Sequence, residues 1–200
     1  MKNRTAKLWL AAFSAALLLG SVQSHAQTST TQTTTTQTQT TKAPEDKSKR
    51  PSPPAKVSAM VGAANVTIDY SRPSMKGRKI FGGLEPYGKV WRTGANEATT
   101  FETSKDVKIE GQALPAGKYA LFTIPGETEW TVIFNKTADQ WGAFKYDAAQ
   151  DALRVKVKPK KTAQPTEVFT INLDKSGKVS MLWENTEVDF TVSSAGKSTM

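Results

Sequence analysis

From Ala55 to Val192 the apolar residues fall in short runs that alternate with polar ones at a period of two, and turn residues separate the runs. Val66, Ile68 and Tyr70 share one face of such a run, while Thr67 and Asp69 point away. Further strands are predicted at residues 98–103, 107–110, 118–124, 130–135, 153–158, 166–173, 178–183 and 187–192. Gly111 opens a connection through Leu114, Pro115, Ala116 and Gly117, so the runs at 107–110 and 118–124 read as a hairpin with a longer loop. Turns are predicted at Pro125-Gly126, at 174–177 and at 184–186, and residues 140–149 read as a short helix or an irregular excursion. About nine or ten strands with almost no helix predict an all-β fold, an antiparallel β-sandwich of jelly-roll-like or immunoglobulin-like type. A closed barrel is the alternative.

The pattern is different ahead of Ala55. Lys2, Arg4 and Lys7 precede an apolar run at 8–19, and small and polar residues follow to Ala26, which is the pattern of a secretory signal peptide. The run is shorter than the roughly 20 apolar residues that span a bilayer, so no transmembrane segment is expected after cleavage. Residues 27–41 are almost entirely Thr, Gln and Ser, and 42–54 add mixed charge with Pro44, Pro51, Pro53 and Pro54. Such a composition cannot bury enough apolar surface to offset the entropy of ordering, so 27–54 read as a disordered linker. The domain organisation is therefore a signal peptide (1–26), a linker (27–54), one β-sandwich domain (55–192) and a frayed polar tail (193–200).

Composition narrows the chemistry. The chain has no cysteine and one histidine, His25, which leaves with the signal peptide. Without them, Cys nucleophiles, disulfides, Ser-His-Asp catalysis and the usual zinc or copper sites are excluded, and no cofactor or metal is expected. The formal charge of +9 falls to +6 after cleavage, when 24 basic residues face 18 acidic ones. For a periplasmic or secreted protein that excess points to solubility, or to contact with an envelope polymer, and not to nucleic acid. In residues 153–158 the alternation sends aliphatics inward and lines the outer face with Arg154, Lys156 and Lys158, a basic stripe that Lys160 and Lys161 extend.

Cationic, aromatic and glycine residues are densest between Asp69 and Thr100. Glycines at 77, 82, 83, 88 and 94, with Pro73 and Pro86, force repeated turns, so the stretch reads as a structured loop between strands. Arg offers planar donors for carboxylate or phosphate, and Trp and Tyr faces stack on sugars or cations. Arg72, Arg78, Tyr87, Trp91, Arg92, Asn96 and Glu97 are the candidate ligand-binding residues, with Trp141 as a second candidate wall. Trp91 and Arg92 are adjacent and face opposite ways in an extended chain, so only one of them can enter a given site. Arg92 could instead pair with Glu97 or Asp69 and fix the loop.

The strings RPSMKGRKIFGGLEPYGKVWRTGANEATT, LPAGKYALFTIPGETEWTVIFNK and QWGAFKYD resemble those of the bacterial domain of unknown function 2911 family, over residues 52–190. The resemblance implies one compact exported domain and carries no catalytic residue with it. Glu85 stands before Pro86 where the resemblance leads one to expect an aliphatic residue.

Together these features predict an exported protein that binds a small anionic or sugar-like ligand, or an envelope component, through residues 72–97. Its partner would be an unidentified small molecule or glycan. Two alternatives stand beside this reading. One is an architectural envelope scaffold, and the other is a glycan hydrolase built on a pair of carboxylates.

Overall fold

The structure is a computed structural model, and it describes residues 45–196. The segments read as signal peptide and as most of the linker lie outside the described residues, as do the last four of the tail. Ten strands form two antiparallel sheets packed face to face. They are β1 (Pro54–Val61), β2 (Ala64–Ser71), β3 (Thr100–Thr103), β4 (Val107–Ile109), β5 (Gln112–Leu114), β6 (Gly117–Ile124), β7 (Trp130–Asn135), β8 (Asp151–Val157), β9 (Pro159–Leu173) and β10 (Lys178–Ser194). One sheet has the order β1-β2-β3-β6-β7-β8 and the other the order β5-β4-β10-β9. The fold is thus the antiparallel β-sandwich that the alternation predicts.

Alternation also sets which side chains fill the space between the sheets. On β2, Val66, Ile68 and Tyr70 are buried, and on β8 Val155 and Val157 are buried while Arg154, Lys156 and, just beyond the strand, Lys158 are exposed. Aromatic residues fill one end of the core. Trp91 stacks on Trp183 with centroids 5.7 Å apart and meets Phe169 and Phe81 edge-on, and Phe81 packs 4.8 Å from Trp130.

Three local expectations change, and the irregular form expected of residues 140–149 is found. The runs at 107–110 and 118–124 do not pair with each other: β4 joins β5 and β10, whereas β6 lies between β3 and β7 in the other sheet. Residues 112–114 form the short return strand β5, so the connection crosses between layers instead of closing a hairpin. The turn expected at 184–186 is absorbed into one continuous β10, whose pairing with β9 shifts register on both sides of Glu184. Glu184 takes a left-handed φ of 53°, and the extra residue is accommodated as a bulge. In residues 140–149 the excursion is irregular, ending in a single 3-10 turn at Ala148–Gln150.

The third change concerns the linker, which is packed against the domain from residue 45 onward. Asp46 caps a 3-10 turn at Lys47–Lys49, Pro53 accepts a hydrogen bond from Arg72 N at 2.9 Å, and Arg50 is only 13% exposed. Composition misses this because the partners, Glu97, Asn96 and Trp141, are far away in sequence.

The long excursion between β2 and β3 is sewn to both sheets. Phe169 N donates to Pro73 O and Met75 N to Glu167 O on β9. The Glu184 carboxylate at the β10 bulge accepts from Ile80 N and Phe81 N, and Trp91 exchanges backbone hydrogen bonds with Thr123 on β6. The loop is therefore a rigid part of the sandwich.

Candidate functional site

The turn that follows Trp91 is built under strain. Thr93, a β-branched residue, is fully buried at φ 56°, and Asn96 sits at φ 59°. Thr93 Oγ1 shares a hydrogen bond of 3.1 Å with Thr123 Oγ1, and its carbonyl accepts from Thr99 Oγ1, so surrounding bonds hold the strained turn. Its effect is to present residues 96–98 alongside residues 140–142. Gly142 N donates to Asn96 O, Ala98 N donates to Gln140 O, both at 3.0 Å, and Glu97 bridges Trp141. Asn96 Nδ2 reaches Ser52 O at 3.0 Å and Ser71 Oγ at 3.3 Å, tying the turn to the incoming chain.

Glu97 receives two cations from the N-terminal segment: Lys47 Nζ at 2.8 Å on one oxygen and Arg50 Nη1 at 2.8 Å on the other. Burial opposes its ionisation, but the Lys47 hydrogen bond, a backbone donor and Arg50 outweigh it and hold the carboxyl below the ordinary range. Arg50 also grips Glu45 through two nitrogens, at 2.9 and 2.6 Å, and its guanidinium lies 5.6 Å from the centre of the Trp141 ring. Even so, Trp141 remains 55% exposed and neighbouring Phe144 86% exposed. Exposed large aromatics of this kind are candidate binding surfaces.

Two clefts meet at Glu97. One, of about 290 Å³, is walled by Glu97, Thr100, Asp139, Gln140 and Trp141. The other, of about 280 Å³, is lined by Lys47, Asp69, Tyr70, Glu97, Thr100 and Lys118. They share Glu97, Ala98 and Thr100. Gln140 is 9% exposed, and its Nε2 donates to Thr137 O at 2.7 Å while its Oε1 is buried without a donor among the described residues.

The predicted residues therefore divide. Asn96, Glu97 and Trp141 come together. Trp91 is 2% exposed at the centre of the aromatic core, with its indole N–H bonded to Gly94 O at 3.0 Å, so it is a core residue and cannot face a ligand. Arg72 spends its guanidinium on Phe169 O and Thr170 Oγ1, and Arg78 spends its own on Met75 O and Ser74 O. Both tie down the loop. Tyr87 stands apart, at the rim of a further cleft of about 200 Å³ beside Lys160 and Lys161.

Arg92 is half-buried, its Nε has no partner among the described residues, and it acts electrostatically on Glu85. The expected partners of Arg92 are otherwise engaged: Glu97 by Lys47 and Arg50, and Asp69 by Lys56 at 3.2 Å. Glu85 is partly buried, and that burial pushes its carboxyl up to about 7 against the pull of Arg92 and Arg78. Sequence reasoning missed Lys47, Arg50, Asp139 and Gln140. The first two lay in a stretch read as linker, and nothing in the spacing of Asp139 and Gln140 marks them beside Trp141.

The fold and the site define a two-sheet β-sandwich with an aromatic-walled cleft lined by carboxylates and amides. Residues 52–192 match the family described as Protein of unknown function (DUF2911), and the chain belongs to that family. No curated relative and no solved structure matches the chain.

Proposed function

We propose that this chain is an exported binding protein that takes a sugar-like ligand, without covalent chemistry, in the cleft between Glu97 and Trp141. The observation that carries the reading is Trp141, more than half exposed on a rigid wall beside Glu97 and Gln140. An exposed indole gives a sugar ring a flat apolar platform, while acceptors at its edge take the hydroxyl protons. Export rests on the pattern of residues 1–26.

Two observations weigh against the other readings. The anionic ligand loses most of its candidate donors, because Arg72 and Arg78 are committed to oxygens of the chain itself and Arg50 to Glu45 and Glu97, while Arg92 lines neither cleft that meets at Glu97. A hydrolase needs a carboxylic acid that can give up a proton in the cleft, and Glu97 is held ionised there by two cations.

The test is titration of the purified protein with neutral oligosaccharides, followed by calorimetry. Saturable binding that disappears in Trp141→Ala, with the far-UV spectrum unchanged, is the expected result. Absence of binding to every sugar would transfer the argument to an architectural role, and binding that survives Trp141→Ala would place the site elsewhere.

A further inference from the structure

The edges of the two sheets are not equally protected. A bare edge offers a row of unpaired N–H and C=O groups to another chain, and proteins blunt such edges with short strands, charges, prolines, bulges or covering loops. β5 is only three residues long. β9 carries Pro159 and Pro165 and is covered farther along by the loop at 73–75, through Phe169 N to Pro73 O and Met75 N to Glu167 O. β8 exposes Arg154 and Lys156, and its pairing with β7 shifts register before Asn135. β1 differs from all three. It pairs with β2 in one unbroken register, its proline stands at its first position, and Lys56 is its one charge.

The phase of the β1–β2 ladder tells which groups are free. Arg72 N donates to Pro53 O, so the facing pairs that exchange hydrogen bonds continue as Ala55 with Tyr70, Val57 with Ile68, Ala59 with Val66 and Val61 with Ala64. The N–H and C=O groups of Lys56, Ser58 and Met60 therefore point away from β2, and they have no partner among the described residues. The side chains of these residues are exposed, Met60 by 53%, while Val57 and Ala59 on the inner face are only half-buried. The apolar layer is thus open along this edge.

From this edge we propose that β1 is a self-association surface whose partner is β1 of a second copy, paired antiparallel about a two-fold axis at Ser58. An axis at Val57 would set Lys56 diagonal to the partner's Lys56, about 7–8 Å away on the same face, and would spend Pro54, which has no N–H, on the partner's Met60. An axis at Ala59 would set Lys56 against the partner's Gly62, in the hairpin turn. The axis at Ser58 avoids both: Ser58 faces the partner's Ser58, and Lys56 faces the partner's Met60. Lys56 keeps Asp69 as its counter-charge, at 3.2 Å. On the inner face Val57 meets the partner's Ala59, which covers apolar surface that one copy leaves open. The strand is its own complement in this register, and that selects a second copy over an unrelated peptide. The axis is normal to the sheet, so the clefts lined by Asp69, Thr100 and Lys118 in the two copies open on the same side, whatever they bind.

The experiment is sedimentation equilibrium of the full-length purified protein from ~1 to ~100 μM, a range suited to a small interface. The wild type should show a monomer–dimer equilibrium. Ser58→Pro removes an N–H that points outward, so the far-UV spectrum should be unchanged and dimerisation weaker by at least about tenfold. Ser58→Lys and Ser58→Glu each put like charges opposite one another at the axis, and each should be monomeric alone, while an equimolar mixture should recover the dimer. Where Ser58→Pro fails to fold, the Lys and Glu variants decide. A wild type still monomeric at ~100 μM would overturn the proposal, and so would a dimer that all three substitutions leave intact. Lys and Glu variants that stay monomeric when mixed would overturn the axis at Ser58.

Discussion

Trp91 and Trp141 are the same residue in opposite environments, and replacing each by alanine separates a core role from the binding role proposed for Trp141. Trp91 is 2% exposed and Trp141 55%. A fully buried Trp removes about 200 Å² from water, worth about 5 kcal/mol at about 25 cal/mol per Å². Trp91→Ala also leaves the Gly94 carbonyl without its indole donor and opens a cavity among Phe81, Phe169 and Trp183. A loss of about 4–5 kcal/mol is expected, a large part of the roughly 5–15 kcal/mol that holds such a domain folded. For Trp141 the buried share is less than half, and its contact with Arg50 adds about 0.5–1 kcal/mol, so the expected loss is at most about 3 kcal/mol. Urea unfolding followed by far-UV circular dichroism measures both without relying on tryptophan emission. Where Trp91→Ala fails to fold, Trp91→Phe supplies a graded version, with a loss of about 1–2 kcal/mol. Equal losses for the two alanine variants, or a loss below about 2 kcal/mol for Trp91→Ala with an unchanged denaturant slope, would refute the assignment of Trp91 to the core.

Other substitutions test other parts of the molecule. The folded chain holds the Glu85 proton more tightly than the unfolded chain, so this residue's contribution is most favourable below about pH 4.5 and declines as the pH rises toward about 7. Glu85→Gln should therefore melt like wild type near about pH 4 and above it near about pH 8, and a wild-type advantage at the higher pH would contradict the buried-carboxyl account. Gly177 has φ 87°, and an added Cβ would overlap the Val192 carbonyl, so Gly177→Ala should cost about 3 kcal/mol or more in urea unfolding. Arg50→Ala removes one of the two cations on Glu97. NMR titration should then show the Glu97 pKa moving up, with little loss of stability because these pairs are partly exposed.

Much of this protein was determined by residue order alone. Alternation at a period of two is a local property, and it placed Val66, Ile68, Tyr70, Val155 and Val157 inward and the basic stripe outward before any pairing was known. The density of turn residues at 72–99 likewise marked a rigid loop. Strand partners, by contrast, depend on contacts distant in sequence. The same local pattern at 107–124 is compatible with a hairpin or with strands in separate sheets, and only the packing of β4 on β10 decided between them. The candidate site was legible only as a set of residue types. Asn96, Glu97 and Trp141 could be named from residue type, but Trp91 and Arg92 are neighbours whose alternation does not say which one faces the core. Tertiary structure settled that by closing five aromatic side chains around one end of the sandwich, and it brought Arg50 onto Glu97 across 47 residues. Hydrophobic burial is written in the local pattern. The pairing of charges and the shape of a cleft arise only when distant segments meet.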